Sequence, residues 1–256
     1  MKEEYYKERI KYNFLYHNTV KNGLLYKYCS FDTLNLILKN SSLYYSTANE
    51  FNDPFELSTN IFEEYDDNYC IENVLKLGNA LVNDNNKNSF RLFKIFTDVW
   101  EEQKKQIGIT CFSKSPLNSL MWSHYAEKHT GVCIGFNFDI EERKDKVIQM
   151  PIRYVEKIEP LNYWQKFEDG FDDLVAFHWL LTKSKIWDYE EEVRRIYVDN
   201  KGIISINLDV IVEIYIGINS SLNEIKNLKQ TLKDLKLTKI KIIQTKVIPA
   251  TYSIGI

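Results

Sequence analysis

Short apolar runs rich in β-branched and aromatic residues recur along the chain, and their arrangement limits the fold more than any other feature. "GLLYKYCS" (Gly23–Ser30), "SLYYST" (Ser42–Thr47), "IGITCFS" (Ile107–Ser113) and "VCIGFNF" (Val132–Phe138) each read as a strand. So do "VIQMPIRYV", "EEVRRIYV" (Glu191–Val198), "VIVEIYIGI" (Val210–Ile218) and "KIKIIQTKVI" (Lys239–Ile248). The strands arrive in pairs with irregular helices between them, not in strict βαβ alternation. The expected class is therefore α+β, with a mixed, mostly antiparallel sheet or sheets and flanking helices.

No internal repeat and no Pro/Gly-rich linker divides the sequence. Residues 1–256 read as a single domain with a helical insertion over residues 63–106, broken by the Asn-rich loop "NDNNKNS". "FDTLNLILKN" has Leu34, Ile37 and Leu38 at helical spacing, with Ser30 or Asp32 to cap it. "PLNSLMWSHYAEKH" reads as a helix with Pro116 in its first turn and Gly131 as its stop, and a long helix is expected from about Tyr163 to Ser184. "NEFNDPFE" is a turn, since Asn52, Asp53 and Pro54 favour non-helical backbone.

Charge and cysteines exclude several classes. A net charge of −3 opposes non-specific coating of nucleic acid, which needs a dense basic surface. The lysines between Lys226 and Lys246 are either a local basic patch or a solvated helix face and strand edge. The cysteines Cys29, Cys70, Cys111 and Cys133 are isolated, so neither a disulfide scaffold nor a zinc knuckle is indicated. The charged start does not resemble a signal peptide, and no apolar run reaches membrane-spanning length, so a cytoplasmic protein without membrane contact is expected. Neither glycine-rich phosphate-cradling fingerprint occurs.

Three segments concentrate chemistry-bearing side chains. The first is "LMWSHYAEKHTGVCIGF" (Leu120–Phe136), where Trp122, His124, Tyr125 and His129 crowd together. His124 and His129 are five apart rather than four, the wrong spacing for a metal pair on one helix face, so no metal is expected. His124 is either a core imidazole satisfied by a carbonyl or a working group, and Trp122 packs or stacks. The second is "TKSKIWDYEEEVRRIY", where Glu190, Glu192 and Arg194 alternate and would project to one side of an extended chain. Charges so placed either line a wet cleft or pair on an exposed edge. The third joins "YKYCSF", with Tyr26, Lys27 and Tyr28, to "FNDPFE".

Taken in order, "LYKYCSFDTLNLILKNSSLYYSTANEFNDPFE", "ITCFSKSPLNSLMWSHYAEKHTGVCIGFNFD" and "TKSKIWDYEEEVRRIY" resemble the bacterial domain-of-unknown-function family 2971. Members of that family usually carry Arg where this chain has Cys29. A more distant similarity is to the ADP-ribosyltransferase fold, in which NAD sits between two small sheets. The Glu-x-Glu of a late strand resembles the acidic motif of its arginine-directed branch. That resemblance implies an NAD-dependent transferase, a toxin or phage-defence effector modifying a protein or nucleic-acid acceptor. It implies Glu192 as the catalytic carboxylate, Glu190 as the group that activates the acceptor, and His124 in support. It also implies that Tyr26, Lys27, Tyr28, Ser46, Trp122, Tyr125 and Arg194 hold the nucleotide. A nuclease or phosphodiesterase using His124, His129 and the Glu190/Glu192 pair is the competing enzyme reading. In it Arg194 or Lys185 would bind phosphate. A binding module that breaks no bond is the third.

Overall fold

A computed structural model describes residues 23–58, 98, 101–102, 104–140, 147–157, 180–197 and 200–256. Most of the expected insertion at 63–106, and residues 163–179 of the expected long helix, lie outside the described residues.

The strands in chain order are β1 (Leu25–Cys29), β2 (Ser42–Tyr45), β3 (Gly108–Ser113), β4 (Val132–Phe136), β5 (Val147–Pro151), β6 (Arg153–Val155) and β7 (Thr182–Ser184). They continue as β8 (Glu192–Tyr197), β9 (Gly202–Ser205), β10 (Ile211–Ile216), β11 (Lys241–Gln244), β12 (Lys246–Val247) and β13 (Ile254–Gly255). Three described α-helices join them: α1 (Phe31–Asn40), α2 (Ser119–Tyr125) and α3 (Leu222–Asp234). The class is α+β. A seven-stranded sheet runs β11-β10-β4-β1-β3-β8-β5, antiparallel at every pairing except β10 with β11. Two-stranded pairs β2-β9, β6-β7 and β12-β13 stand beside it.

Both faces of the central strands are covered. On β4, Val132, Ile134 and Phe136 enter a core closed by Leu34, Ile37 and Leu38 of α1 and by Leu228 and Leu232 of α3. Cys133 points the other way, into a smaller core with Tyr28, Tyr215 and Met121 and Trp122 of α2. The alternation expected of "VCIGFNF" is therefore absent as a polarity signal: every residue of β4 is buried, because the strand has a helix on each side. Cys29 packs in the first core.

Local chemistry fixes the helix ends. Ser30 caps α1 by accepting from the Thr33 amide at 3.0 Å, and Ser41 closes it in the left-handed region at φ 50. The second helix departs from expectation. Asn118 is its cap, accepting from the amides of Leu120 and Met121, so Pro116 precedes the helix. It ends at Tyr125, because Glu127, Lys128 and His129 all adopt positive φ before Gly131 is reached. Other boundaries shift for similar reasons. "VIQMPIRYV" is split at Ile152 into β5 and β6, which join different sheets, and "KIKIIQTKVI" is split at Thr245 into β11 and β12. The end of the expected long helix is strand β7, which pairs in parallel with β6.

The edge of β3 opposite β8 is shared by two partners, and this opens the sheet. At one end Ile109 exchanges both backbone bonds with Ser46, at 2.8 and 2.9 Å. At the other, Ser113 pairs with Tyr26 of β1. Between these points β1 follows β4 instead, in register from Leu25↔Phe136 to Cys29↔Val132. The two neighbours of β3 leave an opening along its edge.

Leu34 is fully buried and Leu36 is exposed on the same helix. Leu34→Ala is expected to cost about 2–5 kcal/mol in urea unfolding, whereas Leu36→Ala stays within about 0.5 kcal/mol of wild type.

Candidate functional site

Strand geometry determines what the opening contains. The amide and carbonyl of Ile109 face Ser46, so those of Cys111, two residues further on, face the same edge. Lys27 reaches into this gap. Its ammonium donates to the Cys111 carbonyl at 3.2 Å and to Thr110 Oγ1 at 3.1 Å, and lies 5.4 Å from the centre of the Phe112 ring. The gap widens into a cleft of about 460 Å³, walled by residues of β1, β2, β3, α2 and the turn before β8. That volume is within the range of small-molecule sites.

The floor of the cleft is a buried ionic cluster. Lys183 on β7 donates to Glu190 Oε2 at 2.6 Å and to Glu192 Oε2 at 3.0 Å, and sits 3.4 Å from Glu56 Oε2. Arg194 donates from Nε to Glu192 Oε1 at 2.8 Å and from a terminal nitrogen to the Leu180 carbonyl at 2.6 Å, and it ion-pairs with Glu56. Tyr125 donates to Glu190 Oε1 at 2.6 Å, and the Glu192 amide donates to the Tyr154 hydroxyl at 2.8 Å. The five ionic side chains are each 6% exposed or less, so none relies on water for its charge.

Extended alternation is not what unites Glu190 with Glu192. Glu190 ends the helical turn Lys185–Glu190, and Glu191 takes φ 45, bending the chain so that both carboxylates converge on one ammonium. Glu56 comes from the "FNDPFE" turn. That segment is held by Trp187 Nε1 donating to Asp53 Oδ2 at 2.8 Å and by Asp53 Oδ1 accepting from the Phe55 amide at 2.9 Å.

Burial and charge oppose each other within the cluster. Burial pushes the Glu192 carboxyl above its ordinary range, and Lys183 only partly restores it. For Lys183, burial pulls the ammonium down, but Glu192 and Glu190 outweigh it and the group titrates above an ordinary lysine. Burial lowers Arg194 to about 9, which leaves it cationic at neutral pH. Burial, followed by the charge of Glu192, raises the Cys111 thiol, so it stays protonated and is not a nucleophile. Three carboxylates thus face two cations in one buried cluster.

The cleft brings together Lys27, Tyr26, Tyr28, Ser46, Tyr125, Glu190 and Glu192 of the residues marked from sequence. Several of these are already engaged. Tyr28 is buried, with its hydroxyl donating to the Ser115 carbonyl at 2.8 Å, and Ser46 donates to the Ile109 carbonyl at 3.1 Å. Trp122 is a correction: fully buried, it packs edge-to-face on Tyr28 and donates to the Pro116 carbonyl, so it has no face to offer a ligand. Arg194, also fully buried, lies beneath the cleft and is paired with Glu192 and Glu56, which line it. His124 is a second correction. It is exposed and does not line the cleft; its ring centre is 6.1 Å from that of Tyr125 and 6.2 Å from that of Tyr189, because the short helix turns it outward. His129 bonds Ser123 Oγ through Nε2 at 2.9 Å, away from the Glu pair. Lys183 and Glu56 were missed from sequence. One is a single lysine next to the solvent-exposed Lys185, the other an acid in a turn, and no spacing rule links them.

The segment from Met121 to Arg195 carries Tyr125, Lys183, Glu190, Glu192 and Arg194 together. It is similar to a known family. The family model described as a protein of unknown function (DUF2971) matches residues 121–195. No curated protein and no solved structure matches the chain. Among the described residues no helix is long and apolar enough to cross a membrane.

Trp122→Ala is expected to lower stability by about 3–5 kcal/mol, with His124→Ala within about 0.5 kcal/mol of wild type, both read from thermal melts. Beside the cleft, Tyr26 and Tyr215 both donate to Glu213 Oε1 at 3.0 Å, and burial first, then Glu213, pushes Tyr215 up to about 12. Unfolded tyrosine loses its proton near pH 10, so this contribution is intact below that pH and is lost as pH rises toward about 12. Urea midpoints taken across that window should fall less steeply in Glu213→Gln than in wild type.

Proposed function

We propose that the cleft binds a nucleotide-type molecule and cleaves its bond to a cationic base, with NAD as substrate and an ADP-ribosyltransferase-like reaction. The carrying observation is the buried cluster beneath the cleft, in which three carboxylates face two cations. A buried site with more carboxylates than cations favours a ligand that is positive, or that becomes positive as its bond breaks. Breaking the nicotinamide–ribose bond does this: the bonding pair leaves with nicotinamide and positive charge builds on the ribose carbon.

Each side chain then has a role suited to its surroundings. Glu192, with one oxygen on Arg194 and the other on Lys183, is a carboxylate that cannot rotate away, and stabilises the growing charge without reorganising. Glu190, held by Tyr125 and Lys183, takes the proton of the attacking acceptor, water or a side chain, as that acceptor bonds to the ribose carbon. Lys27 is the cation on the opposite wall, suited to phosphate or ribose oxygens. His124 is exposed and is not among the residues lining the cleft, which supports this reading over a nuclease using His124, His129 and the Glu pair.

The test is nicotinamide release from NAD by the purified chain. Wild type should release it, and Glu192→Gln, verified as folded by its melt, should slow release by about 10²–10³-fold. Release at the wild-type rate in Glu192→Gln, or neither binding nor cleavage of NAD by wild type, would overturn the reading.

A further inference from the structure

We propose that Lys183 is the positioning residue of the acid pair: it keeps Glu190 and Glu192 ionised and aimed side by side, while Glu56 opposes it by adding a third negative charge. The inference rests on the glycosidic-cleavage reading only for its kinetic test. The geometry carries it independently. One ammonium reaches Glu190 at 2.6 Å, Glu192 at 3.0 Å and Glu56 at 3.4 Å, all on different segments of chain. No backbone regularity holds Glu190 against Glu192, since a left-handed residue separates them. Two carboxylates this close in a buried site repel, and without a shared cation one of them would bind a proton.

The groups facing the pair come from every neighbouring element. Lys183 arrives from β7, Tyr154 from β6, Tyr125 from α2, Cys111 from β3, Arg194 from β8 and Glu56 from the turn, with Tyr189 one residue from Glu190. Arg194 serves Glu192, Glu56 and the Leu180 carbonyl, and none of its contacts is with Glu190. Among these groups Lys183 is the one cation bonded to both acids. The phenols of Tyr125 and Tyr154 remain protonated, because burial raises both. They supply hydrogen bonds but no charge.

Two charge changes should therefore act in opposite directions. In Lys183→Met the carboxylates lose their cation, and the acidic limb of the kcat/KM profile for nicotinamide release should move up by about one to three pH units. In Glu56→Gln the limb should move down. Lys183→Arg, which keeps the charge, should restore the limb close to wild type even where kcat stays low. A merely structural lysine would lower activity at all pH values without moving the limb. The same ordering should appear without any substrate, in pH titrations of the isotope-labelled Glu190 and Glu192 carboxyl resonances of the full chain. Should Lys183→Met fail to fold, the Glu56→Gln and Lys183→Arg titrations decide the matter. Carboxyl midpoints that do not move, or that move the same way in Lys183→Met and Glu56→Gln, would overturn the proposal. Carboxyls that move as expected in a chain that never cleaves NAD would leave the positioning role standing and remove the reaction.

Discussion

Burying ionic groups is tolerable only where each charge finds partners at hydrogen-bond distance, and the architecture around the cleft follows from that demand. Arg194 is fully enclosed within the sheet's second face, and Lys183 nearly so. Each would be strongly destabilising alone, and removing one partner of such a pair typically costs about 3–5 kcal/mol. The structure meets the demand with Glu56, Glu190 and Glu192, drawn from a turn, a helical segment and a strand. Segments far apart in sequence are thus tied to one another by charge. The positive φ at Glu191 and the bonded "FNDPFE" turn are the local conformations that make those ties reachable.

The opening in the sheet is the complementary feature. A fully paired β3 would present a closed surface, with no access to the carboxylates behind it. Because Ser46 takes one end of the strand's edge and Tyr26 the other, the backbone of Cys111 faces a gap, which Lys27 partly fills. Cys111 belongs to both sides of the site: its carbonyl accepts from Lys27, and the charge of Glu192 helps to raise its thiol. The cleft is thus lined by the cation of Lys27 as well as by the acids Glu56, Glu190 and Glu192 with Lys183 among them.

Much of the scaffold was legible from local pattern. The apolar runs at 25–29, 42–45, 108–113 and 192–197 became strands close to where their composition placed them, and α1 starts at its Ser30 cap. Errors fell where local signals compete with tertiary packing. Pro116 marked a helix start that Asn118 took instead, and the helix ended early because three successive residues turned left-handed. Trp122 and His124, neighbours but one in sequence, went to opposite environments because a helix rotates its side chains by about 100° per residue and only one of its faces meets the sheet.

The sequence by itself determined the class of fold, the positions of most strands, and the fact that Glu190, Glu192, Tyr125 and Lys27 were unusual enough to mark. These are statements about residue type and short-range period, which a chain carries locally. Only the tertiary structure decided that Lys183 and Glu56 complete the ionic cluster, that His124 stands outside the cleft, and that Trp122 is core. Those outcomes depend on which distant segments share a low-dielectric interior. There a charge must be matched by whatever other charge the fold brings within a few ångströms, wherever it lies along the chain.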